Sequence, residues 1–271
     1  MGGIDLKKII IERNQGVQKS HFLRMLSPNF GGNLIKPFVL LDYFEQKGKA
    51  SSGFLPHFHS GIATLSYMLE GSLEFSDSLG ASGRISTGSI EWMSSGGGVW
   101  HQGKQEGETI QGIQLWLALP PELEDGEARS QYIEKEQVPV VGNTRVLLGE
   151  LAGKKSPICS NLPIHFYQVE LTRGEAWEYQ VSPGYSVNWL FIYQGSVMIQ
   201  GERIENELII FNPEMAQITL LADYGAKFFF GSAKKHEYPL LTAIDMIHTN
   251  SKSMQKGQER KEKELHQNRS F

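Results

Sequence analysis

The stretch PHFHSGIATLSYMLEGSLEF, residues 56–75, places two histidines two residues apart at the head of an apolar, strand-like run. On a strand, residues i and i+2 lie on one face, so His57 and His59 can both reach one metal ion. A third imidazole, His101 in MSSGGGVWHQGK, would turn that two-point chelate into an open three-point site. Imidazoles are borderline ligands that suit Fe(II), Zn, Mn, Ni or Cu, and the residues alone do not choose among them. An open three-ligand site leaves positions for water, dioxygen or substrate, as metal-assisted catalysis requires. The competing reading is that HxH arises by chance and its imidazoles are ordinary strand-surface groups. The other histidines (His21, His165, His236, His248 and His266) show no pairing pattern and read as structural or surface residues. SSGGG at 94–98 is not followed by GK[ST], so a phosphate loop is set aside. Cys159, in SPICSNLP, has no catalytic context and reads as a small loop or buried residue.

The elements that must carry these residues are short apolar or alternating runs: ATLSYML, IQLWLAL, HFYQVEL, WLFIYQ, ELIIF and KFFFG. Turn signals such as SDSLGASG, STGS and FNP separate them. Many short strands at roughly 8–12 residue spacing predict an all-β sandwich or barrel. The chain also echoes itself. SYMLEGSLEF (66–75) aligns with LFIYQGSVMI (190–199), matching Gly71 with Gly195 and Ser72 with Ser196, and each copy reads as strand, Gly-Ser turn, strand. A duplicated barrel follows, with its boundary within 120–160. At the same offset, His57 and His59 meet Val181 and Pro183, so only the first copy carries the histidines. Specialisation of one copy fits a site better than it fits scaffold. PPELEDGEARSQYIEKEQVPVVGN (120–143) is polar and turn-rich and reads as the linker, and the mixed-charge tail from 251 as a solvated helix or frayed end.

The bulk composition narrows the setting. The 271 residues suffice for one large or two small β domains with real cores. A net charge of −4 gives no electrostatic case for direct nucleic-acid binding. One cysteine rules out an internal disulfide. MGGIDLKKIIIERN lacks the apolar segment of a signal peptide, and no run approaches the ~18 apolar residues of a membrane span. These features lead us to expect a cytoplasmic protein, monomeric and not membrane-bound.

Taken together, KPFVLLDYF (36–44), PHFHSGIATLSYMLEGSLEFSDSLGASG (56–83), SIEWMSSGGGVWHQG (89–103), QLWLALP (114–120) and EAWEYQVSPGYSVNWLFIYQGSVMIQG (175–201) resemble the pirin family. The resemblance covers most of the chain. It implies a bicupin, two cupin-type β-barrels face to face with a short C-terminal helix. Residues 1–135 would be the N-terminal barrel with the metal, and 136–271 the C-terminal barrel without it. It implies His57, His59 and His101 as metal ligands, with one divalent transition metal, Fe(II) first and Zn, Mn, Ni or Cu as alternatives. The family's fourth ligand, a glutamate, falls on Gly103, and a further family glutamate falls on Ala63. Gln102, Gln105 and Glu106 are the polar neighbours that stand as candidate replacements for the lost carboxylate.

Three functions follow from the resemblance. The first is a quercetinase-like 2,3-dioxygenase acting on a flavonol, its hydroxyl acidified by the metal and its rings held by apolar barrel residues. The second is a metal-dependent regulatory protein acting through a protein partner. The third is a vestigial cupin without turnover, which the absent carboxylates favour.

Overall fold

The structure, a computed structural model, describes residues 9–48 and 54–267. Residues 1–8, on which part of the signal-peptide reading rests, and 268–271 of the tail lie outside the described residues. The described chain is all-β apart from a short helix at Pro121–Glu124, a 3-10 turn at Lys135–Gln137 and a C-terminal helix at Ser251–Gln267. It forms two β-barrel units of the bicupin architecture.

Among the described residues, the first unit is built from those in 18–137 and 236–267, the second from 9–17 and 138–235. A contiguous division at 135/136 is therefore corrected. The break at 137/138 is close to the expected one, but each end of the chain belongs to the other unit. Apolar burial explains the exchange. Ile9 and Ile10 join the core of the second unit, and Ile10–Asn14 pairs with Leu208–Phe211. Met246 and Ile247 complete small cores in the first.

In the first unit the long strands Ile62–Asp77 and Val99–Ala118 lie side by side at the centre of a nine-stranded sheet. Phe54–His59 pairs with the first half of Val99–Ala118, and Ile90–Ser94 flanks Ile62–Asp77. The segment 120–143, expected as linker, is partly structural: Arg129–Ile133 forms the edge strand beside Ile90–Ser94. Its Tyr132 ring stacks on Phe75 at 3.7 Å between centroids, which is why this polar stretch orders.

The internal echo is structural, but its Gly-Ser pair is not a turn. Gly71 and Gly195 lie inside the continuous strands Ile62–Asp77 and Val187–Ile199, the first at a register shift between Glu70 and Ser72 and the second just past one between Ile192 and Gln194. Both adopt positive φ, +81° and +75°, and a Cβ on either would meet a carbonyl oxygen at 2.1 Å. Only glycine permits that close approach. The serine after each is held alike: Ser72 accepts from Arg84 at 2.9 Å, and Ser196 from Arg203 at 3.0 Å. Each serine then donates to an acid, Glu106 or Asp223.

The two interiors differ. The second is filled by rings, with Trp177, Tyr179, Phe228 and Phe230 in mutual contact. Its hairpin partners Ala176–Gln180 and Gln217–Leu221 pair as Phe54–His59 does with Val99–Ala118, and contain no histidine.

Candidate metal centre

Antiparallel pairing sets His57 directly opposite His101, while His59 faces Val99 one rung further along the same face. The three rings converge, with centroids 4.2 Å apart for His57–His101, 4.8 Å for His57–His59 and 5.0 Å for His59–His101. One nitrogen from each lies within 4.8 Å of the others, close enough for one ion to accept all three. The glycine run shapes the approach. A Cβ on Gly98, whose φ is +148°, would lie 2.3 Å from Phe58 Cζ, so only glycine lets the loop lead directly into Val99–His101.

Each ring is oriented through its other nitrogen. His57 Nδ1–H donates to the Leu55 carbonyl at 2.8 Å, and His59 Nδ1–H to the Asp245 carbonyl at 3.2 Å. His101 Nδ1 lies 3.4 Å from Glu91 Oε1, whose other oxygen accepts the Ser66 hydroxyl at 2.9 Å. This assignment of ring protons leaves the Nε2 atoms of His59 and His101 buried and without hydrogen-bond partners. Buried polar atoms are rarely left so, and three imidazoles fixed at Nδ1 with bare Nε2 atoms are the donor set a divalent transition metal takes. The residues therefore fit such an ion.

Burial, with the neighbouring His101, lowers His57 to about 4, and burial holds His59 well below the usual imidazole range. Both are neutral near pH 7, as ligands must be. Burial alone would push the Glu91 carboxyl up. Bonding to His101 and Ser66 outweighs it and keeps the group below the usual carboxylate value.

The expected replacements for a carboxylate are placed differently. Gln102 lines the chamber but donates to Ser76, Gln105 donates to the carbonyls of Gly48 and Gly107, and Glu106 pairs with Arg84 at 2.7 Å. Gly103 faces Phe54 across the strands, and a Cβ there would touch that ring at 3.4 Å. Glu91 and Ser66, which the sequence reading did not single out, are the polar groups joined to His101 at the site. The signal for Glu91 was present: a lone acid in the apolar run IEWM, every residue of which is buried.

The chamber beside the histidines is narrow, about 30 Å³, walled by Phe44, Phe54, Leu73, Phe75 and Ile85. Gln114 also lines it, its side-chain carbonyl taken by Trp116 at 3.1 Å, which leaves the amide N–H groups to donate. Phe54, Phe75, Gln102 and Gly103 divide this chamber from an open surface groove of about 690 Å³.

Of the other histidines, His248 is fully buried, with Ser60 Oγ 3.0 Å from its Nε2 and Glu124 3.4 Å from its Nδ1. Ser60, His248 and Glu124 have the residue types of a hydrolytic triad, yet all three are completely enclosed. Glu124 also accepts from Thr249 N, Thr249 Oγ1 and Asn250 Nδ2. The cluster fastens the C-terminal segment beside His59. His165 meets Tyr179 in the second unit, His236 is buried, and Cys159 is exposed.

The chain is similar to several known proteins. Residues 21–117 match the family model described as Pirin. A Pseudomonas aeruginosa protein named "Putative quercetin 2,3-dioxygenase" is 28% identical over 222 residues, covering 76% of this chain and 78% of its own. The structure of a quercetin 2,3-dioxygenase from Acinetobacter baumannii superposes with a TM-score of 0.87 at 21% identity, over 94% of this chain and 96% of that one. The Escherichia coli bacterial pirin YhhW, in complex with nickel(II), superposes at 0.68 with 20% identity, over 83% and 99%.

Proposed function

From a chain that carries a pirin-family domain, we propose that His57, His59 and His101 hold one divalent transition metal, with Fe(II) first among Fe, Mn, Ni, Cu and Zn. The observation that carries this reading is the set of three rings fixed at Nδ1 with their other nitrogens converging. The function is metal-dependent dioxygenation of a small aromatic substrate, a flavonol such as quercetin. Any of these ions would supply Lewis acidity toward a substrate hydroxyl, and the redox-active ones, Fe(II) first, would also supply a redox partner for dioxygen.

The chain's own residues supply the rest. His57 and His59 are neutral and pre-oriented, so metal uptake requires no proton release from them near pH 7. Gln114 offers amide N–H groups to an acceptor on the substrate. Phe44, Phe54 and Phe75 exclude water and present ring faces. A chamber of about 30 Å³ takes a molecule the size of water or dioxygen, whereas sites for drug-sized ligands span roughly 300–1,000 Å³. A flavonol therefore enters only when Phe54 and Phe75 turn aside and join the chamber to the groove. The narrowness favours one second reading, a cytoplasmic metal-dependent regulator acting through a protein partner without turnover.

Elemental analysis of freshly purified protein, beside His57→Ala and His101→Ala, tests the site. Near one metal per chain, lost in both variants, is expected. Unchanged content in both would overturn the ligand assignment. Metal-dependent loss of flavonol absorbance with oxygen uptake separates the enzyme from the regulator.

A further inference from the structure

Among the described residues lining the chamber, Glu91 is the one carboxylate. It is 5% exposed, on the strand Ile90–Ser94, opposite Ser66 on the neighbouring strand. Ser66 in turn faces Gln114. Cross-strand partners share a face, so Glu91, Ser66 and Gln114 form one polar row across three strands, directed at the chamber. One Glu91 oxygen accepts from Ser66 and the other faces His101 Nδ1. A buried charge with so few partners is costly unless a cation lies near. The convergent nitrogens of the three imidazoles, one of them on the His101 ring whose Nδ1 lies 3.4 Å from this carboxylate, mark where that cation would sit.

We infer that Glu91 is the positioning and charge-compensating carboxylate of this metal site, acting on the metal through His101, and that the site takes a monoanionic ligand. The inference rests on the metal reading above. Three neutral imidazoles leave a dication at +2, and Glu91 lowers the cluster to +1. One monoanion, such as a phenolate, an enolate or azide, then brings the enclosed site to neutrality. A carboxylate held against His101 Nδ1 would fix that ring and raise its basicity without occupying a coordination position. The open positions that three ligands leave thus remain open.

The test uses Co(II) as the probe on metal-stripped full-length protein. Affinity is read by competition with a chromophoric chelator, and azide binding by the visible spectrum of the Co(II) protein. Glu91→Gln keeps the shape and removes the charge. It should weaken Co(II) by about 10–100-fold, while azide binds the Co(II)-loaded variant on the order of tenfold more tightly, because the cluster charge rises to +2. A merely structural role for Glu91 would not strengthen azide binding. Ser66→Ala, which keeps the charge but frees one carboxylate oxygen, should give a smaller loss of Co(II) affinity and wild-type azide affinity, and it decides the matter if Glu91→Gln does not fold. Co(II) and azide affinities unchanged in Glu91→Gln, or in Ser66→Ala where only that variant folds, would overturn the assignment while leaving the three-histidine site standing. A wild-type protein that takes up no Co(II) would instead overturn the metal reading and this inference with it.

Discussion

At the scale of single residues, the site depends on positions where one atom decides the geometry. Gly98 is the clearest case. A methyl group there would press on Phe58, which is wholly buried between the two ligand histidines. Gly98→Ala should therefore destabilise the protein by on the order of 3 kcal/mol from overpacking and an unfavourable φ. Urea unfolding checks this, and a midpoint equal to wild type would refute the close approach. The histidines were legible in the sequence because their signal is local: a two-residue spacing on a strand and a glycine run before the third. The outer groups were not. Asp245, whose carbonyl orients His59, lies 186 positions away. The Ser60–His248 contact spans 188. No spacing rule reaches so far, so His248 read as an unremarkable histidine. Glu91 had a local signal of its own, but a rule that looks for acids beside the third histidine looks at the wrong strand.

At the scale of elements, strand content was legible from short apolar runs and turn residues, whereas the connections were not. The Gly-Ser pairs read as turns because glycine after an apolar run commonly ends a strand. Here the strand continues, and the glycine's positive φ lets a neighbouring carbonyl approach closely. The polar stretch before 143 read as linker because the contacts that order it, Tyr132 on Phe75 and the pairing with Ile90–Ser94 among them, are tertiary. The C-terminal helix was expected as a solvated element, and its start is fixed by more than solvation. Asn250 caps it by accepting the Ser253 N–H at 3.0 Å, and Glu124 holds both Thr249 and Asn250. Glu124→Ala removes a carboxylate bonded three times over and strands buried donors. We expect a loss on the order of 3 kcal/mol, together with weaker metal retention, since the Asp245 carbonyl lies in the segment so released. An unchanged denaturation midpoint would show that the anchor is not holding the segment.

At the scale of the whole molecule, several buried imidazoles set the response to acid. His165, His236 and His248 are each lowered from the usual 6.5, burial being the largest cause in every case. The unfolded chain binds protons at these groups before the folded one does. Their contribution is thus fully present above pH 6.5 and is lost as pH falls toward the folded values. Thermal unfolding of metal-free protein should show a melting temperature that is level above about pH 7 and declines through pH 6 and 5. A melting temperature constant from pH 7 to 5 would contradict the buried neutral state. Finally, the exchanged chain ends impose an order in time. The strand Ile10–Asn14 is made well before its partner Leu208–Phe211 and waits for it. The first unit, most of it translated earlier, lacks Asp245, Met246 and Ile247 until they too leave the ribosome. His59 cannot be oriented before then. Nascent chains halted after residue 235 should carry all three ligand histidines yet hold metal poorly, so loading waits on a segment made long after the ligands themselves.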